Sequence, residues 1–93
     1  EKRELGGVCL NEGCIPTKTL LYSAKIYDYA KHGDKYGVFA ADATYDYGKI
    51  VDRKNNVVRQ LVGGVGATMK AHNVKVVKGD AKIKGPSENG IEI

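Results

Sequence analysis

Gly6-Gly7-Val8-Cys9-Leu10-Asn11-Glu12-Gly13-Cys14-Ile15-Pro16-Thr17-Lys18 is the stretch on which the reading of this chain turns. It holds the only two cysteines, five positions apart, with glycines on both sides. In a continuous helix, residues five apart point about 140° away from each other. Their Cα atoms then lie beyond the roughly 7 Å limit for a disulfide. If Cys9 and Cys14 pair, the segment between them must leave helical geometry, and Gly13 has the backbone freedom to allow it. Such a short ring gains little as a staple, because loop-entropy stabilisation grows with loop length. A small, accessible disulfide of this kind belongs with the labile or catalytic ones. Two alternatives stand beside this: two buried, inert cysteines, or half of a zinc site. Zinc needs four ligands, and neither His32 nor His72 stands at ligand spacing from the pair.

Size and composition narrow the field. Ninety-three residues make at most one small domain. With 42% hydrophobic residues, no Trp and one Phe, the expected core is thin. The net charge is +4 and the pI about 9.1. The lysines are spread along the chain close to Asp or Glu, as on a solvated face. They do not interleave with aromatics in a compact patch, which argues against nucleic-acid binding. The apolar stretches are too short to span a bilayer, and no signal peptide is visible. Two cysteines do not make a secreted disulfide scaffold, so redox or metal chemistry in the cytosol is the expected class.

Along the chain, residues 1–8 read as a strand end and a glycine turn. A helix is expected from about Leu10 to Lys31, with Leu20, Ala24 and Tyr27 on one face and Leu21 beside them. Pro16 fits only near a helix start or at a distortion. Gly33 is expected in the C′ role that ends this helix. Residues 34–46 read as a loop with one extended piece, Tyr36 to Ala40. A longer helix is expected from about Tyr47 to Ala71, because Ile50, Val57, Leu61, Val65 and Met69 form one apolar stripe. Gly63, Gly64 and Gly66 lie inside it at roughly 1 kcal/mol each against Ala; they would kink it or allow close packing. Asn73 is the expected stop. Strands are expected at Val74–Val77, Ala81–Lys84 and Ile91–Ile93, with turn chemistry throughout Gly85–Gly90. There are no internal repeats and no low-complexity linker.

The quoted stretch resembles the redox-active disulfide motif of the flavin-dependent pyridine nucleotide–disulfide oxidoreductases, G-G-[TV]-C-[LV]-N-x-G-C-[IV]-P-[STK]-K, at every fixed position. Leu10, Ile15 and Thr17 look most like the branch of that family that oxidises dihydrolipoamide, and the likeness continues from Leu20 through Ile83. The fold this implies is α/β: a fragment of a Rossmann-like FAD-binding domain, two helices followed by short antiparallel strands. Residues 1–93 would be part of that domain, with NAD-binding and interface domains outside it. By resemblance, Cys9 would be the interchange thiol that forms the mixed disulfide with substrate. Cys14 would be the sulfur beside the flavin, its thiolate in charge-transfer contact with the ring. Lys18, four residues on and on the same helix face, would approach the reactive edge of the flavin, where an ammonium stabilises negative charge. Gly6 and Gly7 would bring backbone N–H groups to the dinucleotide. Val8 departs from the Thr of many members, which leaves only its backbone for a phosphate. Glu1 stands where the family places the carboxylate that bonds the ribose hydroxyls. Gly79 and Ala81 would lie beside the adenine. The bland alternatives are a solvated Lys18, an ordinary glycine turn, a frayed Glu1, and a simple bulge at Gly79–Ala81. The glycine fingerprint itself is absent, and Gly63-Gly64-Val65-Gly66 does not replace it, since it follows no strand.

The activity this implies is oxidation of protein-bound dihydrolipoyl groups with reduction of NAD⁺, using FAD and the Cys9–Cys14 pair, with the 93 residues alone inactive. The implied partners are the lipoyl domain of a 2-oxo-acid dehydrogenase complex and a second copy of the full-length protein, with no nucleic acid and no membrane. The implied location is the cytoplasm of a bacterium or the mitochondrial matrix. Two alternatives are an NADPH-dependent enzyme resembling glutathione or mercuric reductases, and a non-catalytic interaction module.

Overall fold

The computed structural model describes residues 1–93, starting with an irregular N-terminal segment that leads into a glycine turn. Gly6 (φ 106°) and Gly7 (φ 72°) both adopt left-handed backbone, which only glycine visits without penalty. The turn opens a five-residue helix α1 (Gly7–Asn11), and a second helix α2 (Cys14–Lys31) follows after a break at Glu12 and Gly13. The expected single helix from Leu10 is thus two. It starts earlier, at Gly7, and is interrupted between the cysteines. Pro16 is the third residue of α2, where its missing N–H is one of the donors a helix leaves unpaired in any case. The first α2 bond runs from Thr17 N to Gly13 O, 3.0 Å.

A single 3-10 turn (Asp34–Tyr36) follows α2, and Tyr36–Ala40 forms no strand. Gly33 occupies the position after the helix cap but has φ −79°, right-handed rather than the left-handed C′ conformation expected. It is glycine for want of space. Helix α3 (Tyr47–Ala71) has the bounds expected from its apolar stripe and runs unbroken through Gly63, Gly64 and Gly66. Asp46 caps it, its Oδ1 accepting from Lys49 N at 3.1 Å. Asp46→Ala is expected to destabilise the start of α3 by about 1 kcal/mol, seen as faster amide exchange over Lys49 and Ile50 with the far end unchanged. At that far end Asn73 is left-handed (φ 56°). Asn73 N donates to Lys70 O and Val74 N to Met69 O, the paired bonds of a Schellman cap.

Helices α2 and α3 pack together, with the Arg53 guanidinium 5.9 Å above the Tyr22 ring, and Tyr27 of α2 meets Tyr45, which lies just ahead of α3, edge to face at 5.1 Å. Helix α1 packs on both. Beside Gly66 of α3, Leu5 Cδ1 lies 3.8 Å from where a Cβ would stand. The only pairing classed as a sheet is an antiparallel hairpin, β1 (Gly85–Ser87) with β2 (Gly90–Glu92), in register Gly85 to Glu92. The turn expected over Gly85–Gly90 is therefore confined to Glu88 and Asn89, and its flanks are strand. Val74–Val77 and Ala81–Lys84 form no strand; Ala81–Lys84 meets β2 through one bond, Lys84 N to Glu92 O at 2.7 Å. A further pairing reaches Val77 and Gly79. Glu1 N donates to Val77 O and Gly79 N donates to Glu1 O, both at 3.0 Å. That is one rung of a parallel ladder centred on Glu1 and Lys78.

The chain measures 70 × 23 × 22 Å with a radius of gyration of 20.7 Å, against about 13 Å for a compact domain of this length. Only Thr19 and Gly33 are buried, and no apolar side chain is. The two long helices share a face without enclosing a core.

Candidate functional site

Cys9 and Cys14 form a disulfide, with Cα atoms 4.8 Å apart. The break at Glu12 and Gly13 brings them within reach, as the spacing argument requires. Cys9 sits mid-way along α1, Cys14 is the first residue of α2, and both are exposed. Gly13 is the hinge. A Cβ on it would stand 3.2 Å from both Cys9 Cα and Val8 O, so any side chain there presses on the backbone that carries the sulfur. At the start of the 18-residue α2, Cys14 lies where the partial positive charge of the helix end favours a thiolate.

Around the pair the chain is tied down by polar side chains. Asn11 Nδ2 donates to Leu5 O (3.0 Å) and Gly7 O (2.9 Å). Arg3 Nη1 pairs with Glu12 Oε1 at 2.8 Å, holding the inter-cysteine break to the N-terminal segment. Thr19 Oγ1 donates to Ile15 O at 2.7 Å. Reading the motif alone missed Asn11 as a contributor. No spacing in the sequence signals it, because the convergence of the two carbonyls depends on the left-handed turn at Gly6 and Gly7.

Between the N-terminal segment and α1 lies an open cavity of about 310 Å³ lined by Glu1, Arg3, Glu4, Gly7, Val8, Asn11 and Glu12, with neither cysteine on its wall. Glu1, Gly7 and Val8, three of the residues singled out from the sequence, therefore meet there, and Gly6 forms the turn beneath. Glu1 is not frayed: its backbone makes the parallel rung, and its Oε1 accepts from Arg3 N at 3.0 Å. That hydrogen bond holds its carboxyl below the usual carboxylate range. Gly79 is bonded to Glu1 through the rung, and the neighbouring Asp80 pairs with Lys2 at 3.4 Å. Lys18 stands exposed one turn along α2 from Cys14. Ala81 is exposed in the extended segment and is not drawn into the cavity. His32 and His72 are helix-end residues, each facing a carbonyl of its own last turn. No three His, Cys, Asp or Glu side chains converge as a metal site would require, and no helix is long and apolar enough to cross a membrane.

An accessible disulfide at a helix N-terminus, beside a glycine turn, is an arrangement suited to thiol–disulfide exchange. Comparison with known proteins makes this particular. No family profile matches the chain. Individual relatives do: it is 48% identical over its whole length to a dihydrolipoyl dehydrogenase of Bacillus subtilis, covering 22% of that protein. It is 46% identical over 87% of its length to that of Geobacillus stearothermophilus, covering 17%. It is 44% identical over its whole length to that of Mycoplasma pneumoniae, covering 20%. The chain belongs to the dihydrolipoyl dehydrogenase family, and it spans about a fifth of the length of these curated relatives.

Proposed function

We propose that the protein to which these residues belong oxidises protein-bound dihydrolipoyl groups and passes the electrons to NAD⁺ through FAD, with residues 1–93 forming part of its FAD-binding domain. The observation that carries this reading is the exposed Cys9–Cys14 disulfide with Cys14 at the head of α2.

The residues fit the flavin dinucleotide. Where a Gly7 side chain would project, no atom lies within 4 Å, so the turn leaves its backbone open to a close-lying ligand. The cavity beside it has the Glu1 carboxylate on its wall. Glu1 would hold the ribose hydroxyls, the Gly6, Gly7 and Val8 backbone the pyrophosphate, Gly79 and Ala81 the adenine, and Lys18 the ring. When bound, FAD supplies the two-electron acceptor that returns the reduced cysteines to the disulfide.

The chain's own part is thiol–disulfide exchange. A thiolate of the dihydrolipoyl group attacks Cys9 Sγ. The Cys9–Cys14 bond breaks, and its electron pair leaves on Cys14, whose thiolate the α2 N-terminus stabilises. The second substrate thiol releases its proton to water and attacks the substrate sulfur of the mixed disulfide. The lipoyl disulfide closes and Cys9 departs as thiolate. The substrate has lost two electrons and the cysteine pair has gained them. A lipoyl domain as donor and a homodimer as the working form belong to this same proposal. The relatives' names favour it over a glutathione- or mercuric-reductase-like reaction with NADPH.

Anaerobic titration of the natural full-length protein with a dithiol tests the reading. A flavin spectrum that gains a long-wavelength band after two electrons is the expected result. Bleaching without that band would remove Cys14 from the flavin's side, and absence of flavin would sink the proposal.

A further inference from the structure

We propose that Asn11 is the positioning residue that keeps Cys9 within bonding reach of Cys14 once their disulfide has opened, and so sets how readily the pair is reduced. The inference rests on the redox reading of the pair given above. Three features of α1 lead to it. First, α1 has five residues, far below the roughly 12–15 at which an isolated helix holds itself together. Second, it enters from Gly6 and Gly7, both left-handed, and glycine has the most freedom to lose when a chain is fixed. Third, no side chain caps the N-terminus of α1. While the disulfide is closed, it anchors α1 to α2. Once it opens, this segment keeps its packing on α2 and α3 and its polar tethers, and among the tethers Asn11 bears on Cys9 most directly.

Its geometry suits that task. The two N–H groups of its Nδ2 go to two carbonyls on either side of the Gly6-Gly7 turn, Leu5 O at 3.0 Å and Gly7 O at 2.9 Å. Cys9 lies between Gly7 and Asn11, so both bonds span the residue that carries the sulfur. Arg3 and Glu12 add a second tether just beyond it, at 2.8 Å. Both partners of that pair are more than half exposed, and exposed pairs hold little. Of the polar tethers, Asn11 therefore does most to keep α1 formed and Cys9 in place, which raises the effective concentration of the reduced sulfurs toward each other and favours the closed disulfide. Loosening α1 lowers it and makes the pair easier to reduce.

The test uses the natural full-length protein as wild type, Asn11→Ala, Asn11→Asp and Asn11→Ser, with Asn56→Ala as a control that removes an exposed hydrogen bond of α3 from Arg59. Each is equilibrated anaerobically in graded mixtures of dihydrolipoic and lipoic acid. It is then quenched in acid and alkylated, and Cys9 and Cys14 are counted by mass. Ala and Asp, which lack both donors, are expected to shift the midpoint toward the reduced pair by about tenfold, equal to about 30 mV. Ser is expected to fall between them and wild type. Its hydroxyl can reach the carbonyl four residues back, as Thr19 and Thr68 do in this chain at 2.7 and 3.0 Å. If Ala does not fold, Asp and Ser carry the comparison. Midpoints within twofold of wild type in all three, with only thermal stability lowered, would overturn the inference and leave the redox reading standing. A wild-type pair that accepts no electrons at all would overturn both.

Discussion

Cys14→Ser and Cys9→Ser, each made in the natural full-length protein, are expected to lower dihydrolipoamide turnover by at least about 10³-fold, the scale on which loss of a covalent nucleophile acts. The reason is stoichiometric. Exchange needs a sulfur–sulfur bond to attack, and either serine leaves a lone thiol that can accept no electron pair. The two variants differ in a second measurement. Iodoacetamide should modify Cys14 in Cys9→Ser at lower pH than Cys9 in Cys14→Ser. Cys14 is the first residue of an 18-residue helix, whereas Cys9 sits inside one of five residues, and a helix end stabilises a thiolate placed on its first turn. Both cysteines are exposed, so access does not decide the order. Equal pH profiles would show that the helix end does not distinguish the sulfurs, and the order of attack assigned to them would lose its physical basis. Retained turnover in either variant would remove the pair from the reaction altogether.

The parts of this site that were legible in the sequence are those fixed by local chemistry. The apolar stripe from Ile50 to Met69 placed α3 at about Tyr47 to Ala71, where it lies. Asn73 was legible as its end, because few other side chains tolerate the left-handed conformation a helix end uses. The break between Cys9 and Cys14 was legible only on the condition that the two pair, since helix geometry excludes a disulfide at that spacing. The strands were less legible, because a strand is defined by its partner. Val74–Val77 alternates as a strand should, yet the one rung near it comes from Glu1, 76 residues away. Pro86 and Gly85 look like turn residues and lie in β1. A two-stranded ribbon has free edges on both sides, where proline's missing donor goes unfelt. The clamp by Asn11 was hidden for a different reason. Nothing in the spacing of Leu5, Gly7 and Asn11 says that two carbonyls will converge on one amide; that depends on the left-handed turn at Gly6 and Gly7.

Gly33 illustrates the same divide and carries the second large effect. The sequence suggests that it is glycine for its handedness, as the residue after a helix cap often is. Its φ of −79° is one that any residue can adopt. What excludes a side chain is space. A Cβ would stand 2.9 Å from Tyr29 O, 2.9 Å from Val38 O and 3.1 Å from Val38 Cβ. Neither carbonyl can retreat easily. Tyr29 belongs to the last turn of α2, and the Val38 segment is held because its N–H, with that of Tyr36, donates to Gly33 O at 3.0 and 2.8 Å. Gly33→Ala is therefore expected to cost about 1–3 kcal/mol, as overpacking does. The loss is local, so it appears as roughly 5- to 100-fold faster amide exchange at Tyr36, Val38 and His32, while α3 exchanges as before. Gly37, four residues on, is the contrasting case. It is left-handed (φ 81°), with nothing within 4 Å of a Cβ, so there the handedness excludes side chains and the space does not. Asparagine tolerates that conformation. Gly37→Asn should therefore leave exchange at Val38 near wild type, whereas Gly33→Asn should accelerate it at least as much as Gly33→Ala. If the two asparagine variants behave alike, crowding at Gly33 is not what fixes the end of α2.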